Sequence, residues 1–232
     1  NAELLIYAEE AFAINENKLE EFLNVAKGKA TEYNMAMLIT FDIEYSGGEN
    51  HENCLFYIDR KGETATKYVK HMVIPIVEAG YVRGKGSLSD LEEDFDCGTV
   101  HFTTAICYDG NFENYIRSMP DEAEIYLYPS WDWAAIENNH TMIAGFRAVE
   151  NGITLVKSTC YGKSVMFDEY GHIIFNTHTN DGFEKVYSVD IPLSDKVTFY
   201  EKFGTAENVI LVIFAIALFT YATVTIIKKN RK

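Results

Sequence analysis

The 232 residues, 47% of them hydrophobic and only four of them proline, suffice to bury one sizeable core, which excludes a disordered tail. A net charge of −15 hides a sharper asymmetry: with Lys228, Lys229, Arg231 and Lys232 set aside, sixteen basic residues face thirty-five acidic ones, a charge of −19. A body that acidic repels phosphate backbones, so nucleic acid is excluded as a partner.

From the N-terminus, short apolar runs alternate with amphipathic segments, the pattern of a layered α/β domain. Leu4-Leu5-Ile6-Tyr7 reads as a buried strand that ends in Ala8-Glu9-Glu10. Residues 17–32 read as a helix with Leu19, Phe22, Leu23, Ala26 and Ala30 on its inner face and with Asn17 and Glu20 as an imperfect capping pair. Residues 36–43 form the next strand. Residues 53–58 and 64–70, joined by Asp59-Arg60-Lys61-Gly62, form a β-hairpin that delivers Lys70 at a strand end. Residues 99–106 run as a strand into Cys107, followed by a turn and a helix at 113–118. A strand ends at Pro129-Ser130-Trp131, and residues 140–151 form a helix stopped by Gly152, with Met142, Ile143, Phe146 and Val149 expected on its inner face. Strands at 153–158, 164–168 and 172–176 complete the domain.

Residues 209–227 are nineteen uncharged residues, long enough to cross a bilayer. The expected organisation is a folded domain at 1–200, a juxtamembrane linker at 201–208, a transmembrane helix at 209–227 and a basic tail at 228–232. Because basic flanks stay cytoplasmic, the folded domain is expected outside the cytoplasm, at the cell membrane. Asn1-Ala2-Glu3 leads straight into the first strand without a signal peptide, so the sequence is expected to begin inside a longer protein with a membrane segment upstream. Cys54, Cys97 and Cys160 are expected to be ordinary buried thiols, since three cannot all pair if Cys107 stays free.

Glu9, Lys70 and Cys107 all follow apolar strands, where open α/β sheets gather their sites. A thiol is mostly protonated at neutral pH and needs a base, and the carbonyl it attacks needs a fixed donor or cation for the growing negative charge. Glu9 can serve as the base, Lys70 and the amide after Cys107 as the donors.

Three ordered stretches carry a resemblance: Leu4-Leu5-Ile6-Tyr7-Ala8-Glu9, Tyr68-Val69-Lys70-His71-Met72-Val73-Ile74-Pro75-Ile76-Val77-Glu78, and Ala105-Ile106-Cys107-Tyr108-Asp109. Together they resemble the motifs of the carbon–nitrogen hydrolase (nitrilase) superfamily, with similarity continuing through Arg147-Ala148-Val149-Glu150-Asn151-Gly152 to about Pro192. The resemblance implies an α-β-β-α sandwich, here without the strand and helix that ordinarily open it. The C-terminal span points to the apolipoprotein N-acyltransferase branch. It implies Glu9 as general base, Lys70 as oxyanion stabiliser, Cys107 as the thioester-forming nucleophile and Glu78 as the residue that orients the lysine and base. Tyr108 and Asp109 support the nucleophile, Asp109 standing where that branch commonly has a glutamate. The implied partners are a phospholipid acyl donor, a lipoprotein or other amine acceptor, and the membrane; a membrane-anchored amidohydrolase and an inactive binding module are the alternatives. No cofactor is called for, and the six histidines lack zinc-ligand spacing, so no metal is expected. Trp131 and Trp133 either line an acyl-chain groove at the membrane interface or pack in the core.

Overall fold

The computed structural model describes residues 2–47, 50–63, 65–85, 88–177, 185–194, 196–204 and 206–230. Contacts divide the chain into two compact units, Asn1–Lys196 and Val197–Lys232.

In the first unit, β1 (Leu4–Ile6) and β2 (Phe12–Asn15) both pair in parallel with β3 (Ala36–Glu44), so they form one edge strand interrupted at residues 7–11. The interruption carries Glu9 and Glu10, with Glu10 in the left-handed region at φ +52. Thr40 pins it: its hydroxyl donates to the Ala8 carbonyl and accepts from the Ala11 amide. Because β1 lies at an edge, its residues are half-buried rather than fully buried as the sequence suggested. β3 then pairs antiparallel with β4 (His51–Ile58), and β4 with β5 (Ala65–Val69), which places Lys70 one residue past the sheet. Thr64, assigned above to the second arm of this hairpin, lies outside the described residues.

The second sheet runs in the order β11 (Ile173–Asn176), β10 (Val165–Phe167), β9 (Thr154–Cys160), β8 (Ile125–Trp131), β7 (Gly98–Thr104), β6 (Leu91–Phe95). The two central pairings, β7 with β8 and β8 with β9, are parallel. Ile125, Tyr126, Leu127 and Tyr128 are all buried, as expected of a strand covered on both faces.

Period-two alternation in β3 and β4 sorts the core. Met37, Ile39, Phe41, Cys54, Phe56 and Ile58 face α1 (Glu16–Tyr33), while Ala36, Leu38, Leu55 and Tyr57 join the cluster that includes the second sheet. Helix α1 buries Ala26 and Ala30 and packs Leu19, Phe22 and Leu23 against that face, as its periodicity predicts. Its cap is Asn15, whose side chain accepts from the Asn17 amide, and not the pair Asn17 and Glu20; the helix starts one residue earlier than expected, where β2 ends. The helix expected at 113–118 is the single turn α2 (Glu113–Ile116), and helix α3 (Glu137–Asn151) covers the second sheet, so the order of layers is α-β-β-α.

Helix α3 reverses one expectation. Met142, Phe146 and Val149 point outward, Phe146 with 58% exposure, and the buried face carries Glu137, His140, Ala144, Arg147, Ala148 and Asn151. Two alanines admit a close approach to the sheet, and His140 finds polar partners there that outweigh an apolar stripe.

In the second unit, Thr198 and Glu201 cap α4 (Phe199–Phe203) reciprocally, and α5 (Ala206–Asn230) follows. Residues 201–208, expected as a linker, are therefore helical over 201–203 and from 206. Asn208–Lys228 is long and apolar enough to cross a membrane. Arg231 and Lys232 of the expected basic tail lie outside the described residues.

Candidate active site

Strand β7 ends at Thr104, and three residues later Cys107 opens a short 3₁₀ turn, Cys107–Asn111. Its φ is +45, uncommon for a residue with a side chain and the kind of outlier that collects at functional turns. Asp109 holds the turn closed. Its carboxylate accepts from the Ile106 amide at 3.0 Å and its own amide donates back to the Ile106 carbonyl at 3.0 Å. The same carboxylate accepts from the Tyr68 hydroxyl at 2.7 Å and the Met72 amide at 2.6 Å, which fastens the turn to the chain on either side of Lys70. Burial pushes Asp109 up to about 6 against the pull of these bonds.

Lys70 is buried, and its ammonium lies 2.8 Å from Glu9 Oε1 and 2.5 Å from Glu78 Oε1. Glu78 also accepts from the Ile74 amide at 2.5 Å, so the segment after β5 folds back on the lysine it carries. Burial alone would lower the Lys70 ammonium, but the neighbouring carboxylates, Glu9 first and then Glu78, outweigh it and hold it above the ordinary lysine range. The Cys107 thiol is buried and pushed well up, first by burial and then by the Glu9 charge, with Lys70 opposing. All three strand-end groups are buried, and Glu9 and Lys70 are joined directly. Tyr108 is half-buried with its ring edge-on to Phe112.

Asn53, at the start of the hairpin, donates through Nδ2 to Glu9 at 2.7 Å and to Glu10 at 3.1 Å. The Glu10 carboxyl is raised to about 8 by burial and by Glu9 and Asp42. Neither residue stood out in the sequence; two adjacent glutamates after an apolar strand were the available signal.

Behind Cys107 lies a second cluster that sequence reasoning missed. Asp132 takes a hydrogen bond from the Ser130 hydroxyl at 2.9 Å, lies 2.6 Å from His140 Nδ1 and pairs with the buried ammonium of Lys157. The other ring nitrogen of His140 lies 2.6 Å from the Tyr128 hydroxyl, which donates to the Cys107 carbonyl. Burial would raise the Asp132 carboxyl, but the His140 contact and the Lys157 charge hold it low. A lysine inside the apolar strand at 153–158 was the one signal in the sequence.

Trp131 and Trp133 are 42% and 45% exposed, which sets aside the core-packing reading. The Trp131 ring stacks on Tyr161 at 5.9 Å, and its carbonyl lies 3.8 Å from Cys107 Sγ. Cys54 is buried, Cys160 half-buried and Cys97 exposed; the sequence expectation fails for Cys97, which sits in the turn between β6 and β7. Among the described residues, two sets of potential ligand atoms lie within 4.8 Å of one another, Cys107 with Asp132 and His140, and Glu9 with Glu10 and Glu78. Each set already holds a lysine ammonium, which supplies the positive charge a cation would bring.

Residues 2–198 match the family profile described as Carbon-nitrogen hydrolase. Among curated proteins the chain is similar to the apolipoprotein N-acyltransferase of Rickettsia bellii (strain RML369-C), 24% identical over 75% of this chain and 38% of that protein. It is also similar to the apolipoprotein N-acyltransferase of Shewanella oneidensis, 26% identical over 91% of this chain and 46% of that protein. The chain thus spans less than half the length of either. Among solved structures it is similar to an amidase from Nesterenkonia sp., with a TM-score of 0.66 and 20% identity over 88% of this chain and 81% of that one. A variant of that amidase with acrylamide added at its active-site cysteine superposes with a TM-score of 0.67 at 20% identity, over 88% of this chain and 84% of that one.

Proposed function

Because this chain belongs to the carbon–nitrogen hydrolase family, we propose that Cys107 carries an acyl group as a thioester and passes it to an amine. The observation that carries this reading is the buried Glu9–Lys70–Glu78 ion cluster, electrostatically coupled to a buried thiol on a positive-φ turn.

The thiol is neutral at rest, because burial and Glu9 oppose its ionisation. Glu9 takes the Cys107 proton as sulfur attacks the donor carbonyl, and Lys70 and the Tyr108 N–H receive the negative charge that develops on oxygen. Collapse of the tetrahedral species breaks the ester bond, and the departing alkoxide takes the proton from Glu9. An amine then attacks the thioester, Glu9 accepts its proton, and the released thiolate regains one. Glu78 stays on Lys70 throughout and keeps it aimed.

The donor we assign is a phospholipid ester and the acceptor the N-terminal amine of a lipoprotein. The curated relatives support this by name, and α5 supports it by being able to hold the site at a membrane. In this reading residues 1–200 are the catalytic domain, outside the cytoplasm, residues 201–208 join it to the span at 209–227, residues 228–232 remain cytoplasmic, and exposed Trp131 and Trp133 meet the acyl chain.

The test uses a phospholipid with an alkyne-tagged acyl chain. The parent chain should acquire a hydroxylamine-sensitive label and lose it to a lipopeptide amine, whereas Cys107→Ala should acquire none. Full labelling of Cys107→Ala would remove the thiol from the mechanism. Release of ammonia from small amides without transfer would favour hydrolysis, the reaction of the structurally similar amidases.

A further inference from the structure

The cluster behind Cys107 has hydrogen bonds whose directions are fixed by proton count. A carbonyl only accepts, so the single Tyr128 hydroxyl proton lies toward the Cys107 carbonyl. The Tyr128 oxygen must then accept from His140, so Nε2 carries a proton. At the opposite side of the ring, Asp132 already accepts from Ser130 and from the Lys157 ammonium, which favours its carboxylate, so Nδ1 carries a proton as well. Ser130 fits the same count: its hydroxyl donates to Asp132 and its oxygen faces Nδ1 at 3.3 Å. Both ring nitrogens of His140 donate in this arrangement, Nε2 to Tyr128 and Nδ1 to Asp132.

The carbonyl at the end of this chain belongs to the same peptide group as the Tyr108 N–H. A donor on the carbonyl oxygen draws electron density through the planar amide and makes its N–H a stronger donor. Gly110 preserves the contact, since a Cβ there would lie 2.3 Å from the Tyr128 hydroxyl. Gly162 does the same for Asp132, with a Cβ falling 2.6 Å from the Asp132 Cβ. Burial also keeps the Tyr128 hydroxyl protonated, as a permanent donor.

We propose that Tyr128 and His140 are positioning residues for acyl transfer: through the Cys107 carbonyl they polarise the Cys107–Tyr108 peptide and so strengthen the Tyr108 N–H toward the oxyanion. This rests on the reading of Cys107 as the acyl carrier. It differs from a purely structural role because it affects only reactions that place negative charge on an oxygen beside sulfur.

Two electrophiles separate the roles in Tyr128→Phe. Acylation by the tagged phospholipid forms an oxyanion; alkylation by iodoacetamide displaces iodide directly and forms none. Weakening one donor should slow single-turnover acylation roughly three- to tenfold, while the iodoacetamide rate at Cys107 stays at the parent value. His140→Gln should follow the same pattern. Equal slowing of both reactions would make the pair a structural prop for the turn, and parent-like acylation would remove them from the chemistry; either overturns the proposal. Absence of acylation in the parent would instead overturn the reading of Cys107.

Discussion

In front of Cys107, three carboxylates, Glu9, Glu10 and Glu78, crowd within 4.8 Å of one another around one ammonium, Lys70. Behind it, one carboxylate, Asp132, sits between the Lys157 ammonium and the His140 ring. The balance of charge differs between the two clusters, and so do the tasks they suit. In the proposed reaction the excess carboxylate in front would give the thiol proton somewhere to go, while the donors behind would support negative charge as it leaves sulfur for the substrate oxygen. Both sides are buried, so neither charge is cheaply screened by water.

The comparison breaks most sharply at Lys70. Lys70→Met leaves Glu9 and Glu78 buried without a counter-charge, a loss of about 3–5 kcal/mol of stability, together with any acyl-enzyme. Urea denaturation checks the first and thioester labelling the second. A variant as stable as the parent would mean that the front carboxylates escape to water and that the cluster is not held as described.

Asp132→Asn tests the back with a smaller expected effect. The amide keeps one acceptor oxygen, so His140 or Lys157 retains a partner and only the other is stranded, at about 1–3 kcal/mol. Labelling of Cys107 should slow while Glu9 and Lys70 remain in place. Unchanged stability would show that Lys157 is not compensated through Asp132 at all.

How the two clusters stood in the sequence differs for a physical reason. Glu9, Lys70 and Cys107 each end an apolar run, and a polar residue at such a boundary is visible in one dimension. Asp132, His140 and Lys157 lie within or beside elements whose hydrophobic pattern dominates the window, and each becomes tolerable in the core only through a partner on another element. Pairing of that kind is a property of packing, not of periodicity. Helix α1 was legible because its inner face has one task, covering a sheet. Helix α3 was read inside out because its inner face must also hold His140, and Met142, Phe146 and Val149 gave the stronger stripe on the wrong side. The layered fold was legible from the apolar runs of strands such as β3 and β4, whereas the short β2 and the acidic β6 carry too little apolar sequence to stand out.

The smallest effect distinguishes Glu10 from its neighbour. Glu9 shares the Lys70 ammonium, whereas Glu10 receives the Asn53 amide, and it faces Glu9, Asp42 and Glu78 with Lys70 opposing. Its carboxyl is raised from 4.5 to about 8, so between those values the folded chain holds a proton that the unfolded chain has released. Stability from this group is therefore full below about pH 4.5 and falls as pH rises toward 8. Glu10→Gln keeps an acceptor for Asn53 and removes the titration. The variant should match the parent near pH 5 and melt higher near pH 8, by roughly 2–4 °C if the relieved strain is about 1 kcal/mol. Thermal scans at the two pH values read this directly. A gap that is constant with pH would mean that Glu10 ionises freely, and the surplus of carboxylate in front of Cys107 would then be charge held in water instead of a proton held in the fold.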